Sequence, residues 1–230
     1  MISAKLTGRI AGLLFLFSAV SGAFYITYLR SYVIVPNDAA TTIANIRSAE
    51  TVFRAAIVSN LFSQMALLFF GLVMFRLFRE ADSWLATVFL VAVSITVGLA
   101  VMNMLHHFEA LVILSQPEYL KVISQEESNA LAMTALRLAN GPGQGLLELF
   151  WTPFYFSFGL LVFRYRFIPA IFGILLMTMG VAFAVNLLNK FLTPQFHPAA
   201  FTQAAMTLGA VGGLPTMLWL LIKGAREPQK

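Results

Sequence analysis

Six apolar stretches, each long enough to cross a lipid bilayer, constrain this chain more than any other feature of its sequence. A helix needs roughly 20 mostly apolar residues to span the hydrocarbon core, and a backbone exposed to lipid must satisfy its own hydrogen bonds. The sequence therefore predicts an all-α, polytopic transmembrane helix bundle with six spans and short external helices. The predicted spans cover approximately residues 8–29, 53–78, 84–114, 143–163, 167–190 and 204–223.

Composition supports one membrane domain over residues 1–230. Hydrophobic residues make up 59% of the chain and charged residues 11%, against about 45 to 50% and about 25% in soluble domains. The net charge of +5 does not indicate a nucleic-acid partner, because Lys and Arg lie at the ends of the apolar stretches. The absence of cysteine excludes disulfides, thiolate catalysis and cysteine metal sites.

The basic residues also predict the orientation of the chain. Nine of the fifteen Lys and Arg residues fall on one side of the six-span arrangement, and such an excess marks the cytoplasmic side. Both termini are therefore expected in the cytoplasm. The opposite side carries Glu118, Glu126 and Glu127 in its second loop.

Capping signals predict short helices in both external loops. Asp38 is expected to cap a short helix in the first loop and Ser48 to cap the second span. Ser124 and Glu127 form the S-x-x-E pattern of a capping box. A helix running on from there through the fourth span would extend roughly 60 Å, twice the hydrocarbon thickness. A break or kink is therefore predicted at residues 141–143, Gly-Pro-Gly.

Polar side chains recur at helical spacing within the predicted spans. At about 100° per residue, Asn103, His106 and His107 fall within one arc of the third span, with Glu109 at its edge. Their spacing predicts a shared face. The candidate pocket residues are Asn60, Gln64, Asn103, His106, His107, Glu109, Asn140, Gln144, Glu148, Asn186 and Asn189.

The depth of these residues suggests a cavity that opens outward. His106 lies 22 residues beyond Trp84, about 33 Å along a helix. Glu148 lies 16 residues before Arg164, about 24 Å. Because the inner half of the spans is almost purely apolar, the pattern predicts an outward-facing polar pocket that binds or transports a small molecule or lipid.

Other interpretations of the polar residues stay open. Asn, Gln, His and Ser commonly hydrogen-bond between membrane helices, so the protein could be a structural or interaction module without a ligand. A metal site finds no recognised ligand spacing, and haem would need His106 or His107 together with His197. A proton relay through His106, Glu109 and Glu148 is a further alternative. No catalytic motif is present, so an enzyme is the third interpretation after a binding protein and a structural module, and no cofactor is predicted.

Four segments resemble a known family: "VIVPNDAATTIANIRSAETVFR", "NMLHHFEAL", "FRYRFIPAIFGILL" and "LWLLIKG". They are similar to the bacterial integral membrane proteins grouped as domain of unknown function 4386, and Val35–Ala40 is the most specific part. The resemblance covers essentially the whole chain. It implies a six-helix protein of the bacterial inner membrane and no established activity. A membrane-protein partner or a homo-oligomer fits the same picture.

Overall fold

The computed structural model of the chain describes residues 3–35, 38–192 and 199–227. Every regular element within these ranges is a helix. Two π-helical turns, Leu29–Val33 and Ala139–Gly143, and a short 3-10 turn, Glu118–Leu120, complete the order. The α-helices are α1 (Ala4–Tyr28), α2 (Ala39–Ser48), α3 (Glu50–Phe78), α4 (Ser83–Leu114), α5 (Gln125–Leu138), α6 (Gln144–Tyr165), α7 (Ala170–Leu192) and α8 (Ala199–Lys223).

The long helices coincide with the predicted spans. Among the described residues, α1, α3, α4, α6 and α7 are long and apolar enough to cross a membrane. Helix α8 contributes the apolar stretch Val211–Lys223. The predicted all-α, multi-pass membrane fold is therefore confirmed, and its spans begin and end within a few residues of these helices.

Large apolar side chains cover the outside of these helices as well as their buried faces. Leu13, Phe62, Met102 and Leu146 are each more than half exposed. A soluble protein rarely exposes extended apolar surface of this kind, whereas hydrocarbon solvates it without cost. The helices are accordingly suited to a bilayer environment.

The chain forms two compact units. Unit 1 comprises residues 1–17, 66–97 and 145–230, and unit 2 comprises residues 18–65 and 98–144. Unit 1 has a core of phenylalanine rings, in which the fully buried Phe158 lies 5.7 Å from Phe70, 5.7 Å from Phe78 and 5.6 Å from Phe89, measured between ring centroids. Such edge-on and tilted contacts are the favourable geometry for aromatic pairs.

Glycine permits close backbone contact between helices of unit 1. A Cβ atom on Gly159 would meet the main-chain carbonyl of Gly173, and one on Gly12 would meet the backbone of Leu221. Helices α6 and α7, and likewise α1 and α8, therefore approach more closely than larger residues would allow. This packing by small residues is typical of membrane helices.

Unit 2 packs the two short helices α2 and α5 against long apolar helices. Ile46 of α2 and Ala132 of α5 belong to one buried cluster with Phe53 of α3 and Leu111 of α4. The amphipathic helices α2 and α5 thus supply part of the unit 2 core. Neither of them is long enough to span a bilayer.

Two of the three predicted helix caps are confirmed. The Asp38 carboxylate accepts a hydrogen bond from the Thr41 main-chain N at 2.9 Å, and Ser124 and Glu127 form the complete capping box of α5. The prediction for Ser48 is wrong. Ser48 is the last residue of α2, and its Oγ donates to the Asn45 carbonyl. Only one residue separates α2 from α3, so Ser48 lies too early to cap the latter.

The predicted kink at residues 141–143 takes the form of a π-helical turn, Ala139–Gly143, between α5 and α6. Pro142 has no N–H group, so the ordinary α-helical bond to the Leu138 carbonyl cannot form. A wider turn accommodates this missing donor while the chain remains helical. The sequence correctly placed the interruption in the helix.

Candidate functional site

The predicted pocket residues are divided between the two units. Unit 2 contains Asn60, Gln64, Asn103, His106, His107, Glu109, Asn140 and Gln144. Unit 1 contains Glu148, Asn186 and Asn189.

The four polar residues of α4 differ in how deeply their side chains are buried. Asn103 and His107 are buried, whereas the Glu109 side chain is 55% exposed and bonds His106 Nδ1 at 3.2 Å. At about 100° per residue, His106 lies about 60° from Asn103 around α4, and its side chain is 36% exposed. Of the four residues predicted to share a face, two are therefore buried, His106 is half-buried and Glu109 is exposed.

His107 connects α4 to α1 inside unit 2. Its ring is fully buried, and a 3.0 Å hydrogen bond joins its Nε2 to the Tyr25 hydroxyl. The two rings meet edge to face, with centroids 5.6 Å apart, and Phe53 lies against the other side of the imidazole. The histidine is therefore a buried link between two helices. Tyr25 had no signal in the sequence analysis, because a tyrosine near a span end usually marks the membrane interface.

Asn103 supports the π-helical turn. Its Nδ2 donates to the Ala139 carbonyl at 3.0 Å, and a Cβ on Gly143 would collide with its side-chain oxygen. The Asn103 amide thus packs against the π-helical turn and bonds one of its main-chain carbonyls. Asn103 Oδ1 is buried without a hydrogen-bond partner among the described residues.

Asn60 and Gln64 form a second link in unit 2. Asn60 Nδ2 donates to the sulfur of Met104 at 3.1 Å, and Gln64 Nε2 donates to Asn60 Oδ1 at 3.2 Å. One turn away, Ser63 donates to the Ser18 carbonyl at 2.7 Å. These bonds connect α3 with α4 and with α1. Sequence reasoning missed Ser18 as a partner because a small hydroxyl residue leaves no periodic signal.

The two remaining predicted residues of unit 2 lie at the α5 to α6 junction. Asn140 Nδ2 donates to the Leu136 carbonyl of the preceding turn at 2.8 Å, and Gln144 is half-buried. Asn140 therefore satisfies the backbone of its own helix. Among the described residues, no side-chain hydrogen bond joins Asn140 or Gln144 to Asn103 or His107.

Glu148 and Asn186 form a buried pair in unit 1. Asn186 Nδ2 on α7 donates to Glu148 Oε2 on α6 at 2.9 Å, and the two residues are 4% and 5% exposed. Of the described residues, Glu148 is the only acidic side chain in the buried class. Asn189 follows one turn along α7 and is half-buried. The structure thus brings a carboxylate and an amide together from two adjacent spans.

Aromatic rings lie one turn from this pair on both helices. Trp151 of α6 meets Phe183 of α7 with ring centroids 4.8 Å apart, and Tyr155 stacks on the same Phe183 at 5.6 Å. Trp151 is three residues beyond Glu148, and Phe183 is three residues before Asn186. The carboxylate and amide therefore have an aromatic layer beside them.

The sequence left a metal site, haem binding and a proton relay open as further interpretations of these residues. Among the described residues, no group of three or more His, Asp or Glu lies close enough to hold a metal ion. His197, the second haem ligand of that hypothesis, lies outside the described residues. Of the residues proposed for a proton relay, His106 and Glu109 belong to unit 2 and Glu148 belongs to unit 1.

Comparison with known proteins identifies a family for this chain. No curated protein and no solved structure matches the chain. A family model described as Domain of unknown function (DUF4386) matches residues 10–224, which is nearly the whole sequence. The matched range covers most of α1 and the whole of α3, α4, α6, α7 and α8. The chain is therefore a multi-pass membrane protein that belongs to the DUF4386 family.

Proposed function

We propose that the protein binds a small cationic or hydrogen-bond-donating solute within the bilayer, at Glu148 and Asn186. The observation that carries this proposal is the buried carboxylate of α6, bonded to an amide of α7. An ionisable side chain in a membrane span costs roughly 2.5 to 3.5 kcal/mol on insertion scales, and such residues commonly mark solute or ion pathways.

The chemistry of the pair favours a positively charged or donating solute. The Asn186 amide directs its nitrogen at Glu148, and an ionised carboxylate has only acceptors, so in that state the pair offers a negative charge and acceptor oxygens to a solute. The aromatic layer of Trp151, Tyr155 and Phe183 adds electron-rich ring faces nearby, and such faces attract cations. Binding and transport would use the same groups.

We further propose that the protein lies in the bacterial cytoplasmic membrane with both termini in the cytoplasm. The support is the excess of Lys and Arg at the ends of α1, α3, α6 and α8, together with the rule that cytoplasmic flanks are basic. With this orientation α2 and α5 belong to the external loops.

A second candidate function is a structural or interaction module, which the bonding of unit 2 favours. His107 with Tyr25, Asn103 with Ala139, and Asn60 with Met104 all join different elements. Each such bond is worth about 0.6 kcal/mol in membrane proteins. In this role the external helices would contact a second copy or another membrane protein.

Native mass spectrometry of the gently solubilised protein, with metal analysis of the same sample, tests the first proposal. We expect a retained non-protein mass that is lost in Glu148→Gln, because the neutral amide keeps the shape and removes the charge. The matched control is Glu109→Gln, which changes an exposed carboxylate on α4 and should leave the retained mass in place.

Two results would contradict the proposal. One is a bare chain at its sequence mass in every sample, and the other is a retained mass that persists in Glu148→Gln. Thermal unfolding of both variants shows whether the folded state is preserved. A bare chain together with a large loss of stability in Glu148→Gln would favour the structural function.

A further inference from the structure

A groove on the surface of unit 1 lies away from the Glu148 pair. It has a volume of about 310 Å³ and runs between α7 and α8. Phe172 and Trp219 contact each other across it, with ring centroids 5.6 Å apart. The groove is lined by Phe172, Pro215, Leu218, Trp219, Ile222 and Lys223.

The lining is apolar except at one end. Five of the six lining residues are apolar, and Lys223, the last residue of α8, provides the only charge. A second cation, Arg9 of α1, lies outside the lining itself, but its Nη2 donates to the carbonyl of the lining residue Ile222 at 3.0 Å. The groove thus has an ammonium in its lining and a guanidinium bonded to the main chain of the residue before Lys223.

This end of unit 1 is strongly basic. The Arg226 main-chain N donates to the Phe167 carbonyl at 2.8 Å, and the Tyr165 hydroxyl donates to Asp82 at 3.3 Å. These bonds bring the segment after α8, the α6 to α7 connection and the α3 to α4 connection together. Residues 3–10, 76–82, 164–168 and 222–227 contain eight Lys and Arg and three Asp and Glu.

We propose that the groove binds one anionic phospholipid, with an acyl chain against Phe172, Leu218 and Trp219 and the phosphate at Lys223 and Arg9. The apolar lining matches hydrocarbon, and the two cations match a phosphate that carries a net negative charge. A basic residue near the membrane surface attracts anionic lipid, and basic pockets beside spanning helices bind acidic headgroups.

Charge complementarity separates this occupant from the alternatives. A zwitterionic lipid carries no net charge for Lys223 and Arg9 to attract. A second copy of this chain would bring its own basic end, with eight cations against three carboxylates, toward the same cations. An anionic lipid is the one neighbour whose charge and hydrocarbon both fit.

Fluorescence quenching of Trp219 provides the test. The chain has three tryptophans, so Trp84→Phe with Trp151→Phe leaves Trp219 as the only reporter. This protein is reconstituted in phosphatidylcholine vesicles that contain acyl-brominated phosphatidylglycerol or, separately, acyl-brominated phosphatidylcholine at the same mole fraction. We expect phosphatidylglycerol to occupy the groove preferentially, by roughly fivefold for each cation that contacts it.

A second groove provides a matched control. It has a volume of about 290 Å³, lies between α4 and α6, and includes Trp84, Val91 and Phe150 but no charged residue in its lining. A protein with Trp84 as its only tryptophan should show little preference for phosphatidylglycerol. An equal preference at Trp84 and Trp219 would reduce the effect to general enrichment at a basic surface, and the proposal would fail.

Substitutions then locate the headgroup. Lys223→Gln and Arg9→Gln should each reduce the preference at Trp219 several-fold, and 0.5 M salt should weaken it. Arg79→Gln removes an exposed cation at the α3 to α4 connection, outside the groove lining, and should leave the preference unchanged. Equal quenching by both brominated lipids in the parent protein, or an unchanged preference in the Lys223→Gln and Arg9→Gln double variant, would overturn the proposal.

Discussion

Gly143 is a position where one added methyl group should have a large effect. A Cβ there would collide with the Asn103 side-chain oxygen in the π-helical turn. We expect Gly143→Ala to lower the free energy of unfolding by about 1 to 3 kcal/mol, the usual cost of overpacking. Thermal unfolding in detergent measures this effect.

Gly98→Ala is the matched control, because a Cβ at Gly98 meets nothing within 4 Å. Gly98 lies inside α4, and replacing a helical glycine by alanine usually stabilises the helix. A midpoint for Gly143→Ala at or above that of Gly98→Ala would show that Asn103 does not pack against the turn as described.

The hydrogen bond between Tyr25 and His107 is a second test at this scale. Tyr25→Phe removes the hydroxyl that lies 3.0 Å from His107 Nε2 and keeps the ring contact. We expect a loss of about 0.6 kcal/mol and at most about 1.7 kcal/mol, the range measured for bonds between membrane helices. Unfolding by increasing denaturing detergent measures the change.

Tyr32→Phe is the control for that loss, since Tyr32 is exposed in the π-helical turn after α1. It should change the stability by less than about 0.5 kcal/mol. If both substitutions have the same small effect, the buried bond contributes nothing measurable to holding α1 and α4 together.

Among the elements, α5 should respond to acid. Hydrogen bonds from the Ser124 main chain and side chain hold the pKa of Glu127 below its ordinary value of 4.5. The pKa of Glu127 is lower in the folded state than in the unfolded state. The stability that the capping box contributes is therefore complete above the unfolded pKa and is lost as pH falls through the folded pKa. We expect the first turn of α5 to lose hydrogen-exchange protection in acid, after correction for the intrinsic exchange rate.

Two substitutions separate this cap from its surroundings. Glu127→Gln should retain a cap, since glutamine also suits this position, and should remove the acid response. Glu126→Gln changes the neighbouring exposed carboxylate and should leave the acid response in place. An acid response that persists in Glu127→Gln would assign it to another group.

The helix bounds could be predicted from the sequence because hydrocarbon imposes a length and a composition on every span. Local signals predicted the caps at Asp38 and Ser124 for the same kind of reason, since each cap depends on residues within one turn. The prediction for Ser48 was wrong because the role of this residue depends on where the next helix begins. A single residue, Ala49, separates α2 from α3, and no local signal indicated so short a connection.

For the whole molecule, the absence of cysteine makes its topology directly measurable. Single cysteines at Glu80, Glu118 or Glu227, each exposed, can be labelled with a membrane-impermeant maleimide in intact cells. We expect labelling at Glu118→Cys from outside, and labelling at Glu80→Cys and Glu227→Cys only after the cells are opened. Labelling of all three from outside would contradict the proposed orientation.

The candidate site was less predictable than the fold because it depends on how helices are arranged around each other. Periodicity identified Asn103, His107 and Glu148 as polar positions, and all three are buried. It could not show that Glu148 meets Asn186 of the next helix, nor that Glu109 is exposed while His107 is buried. Those facts depend on helix rotation within the bundle, which a single sequence does not encode locally.

The pair of Glu148 and Asn186 also bears on how the protein is made. During synthesis α6 emerges before α7, so its carboxylate would enter lipid before its amide partner exists. Residues 166–169 are all that separate the two helices, and α7 follows almost at once. The two helices are therefore expected to leave the insertion machinery together as one hairpin, already carrying their hydrogen bond.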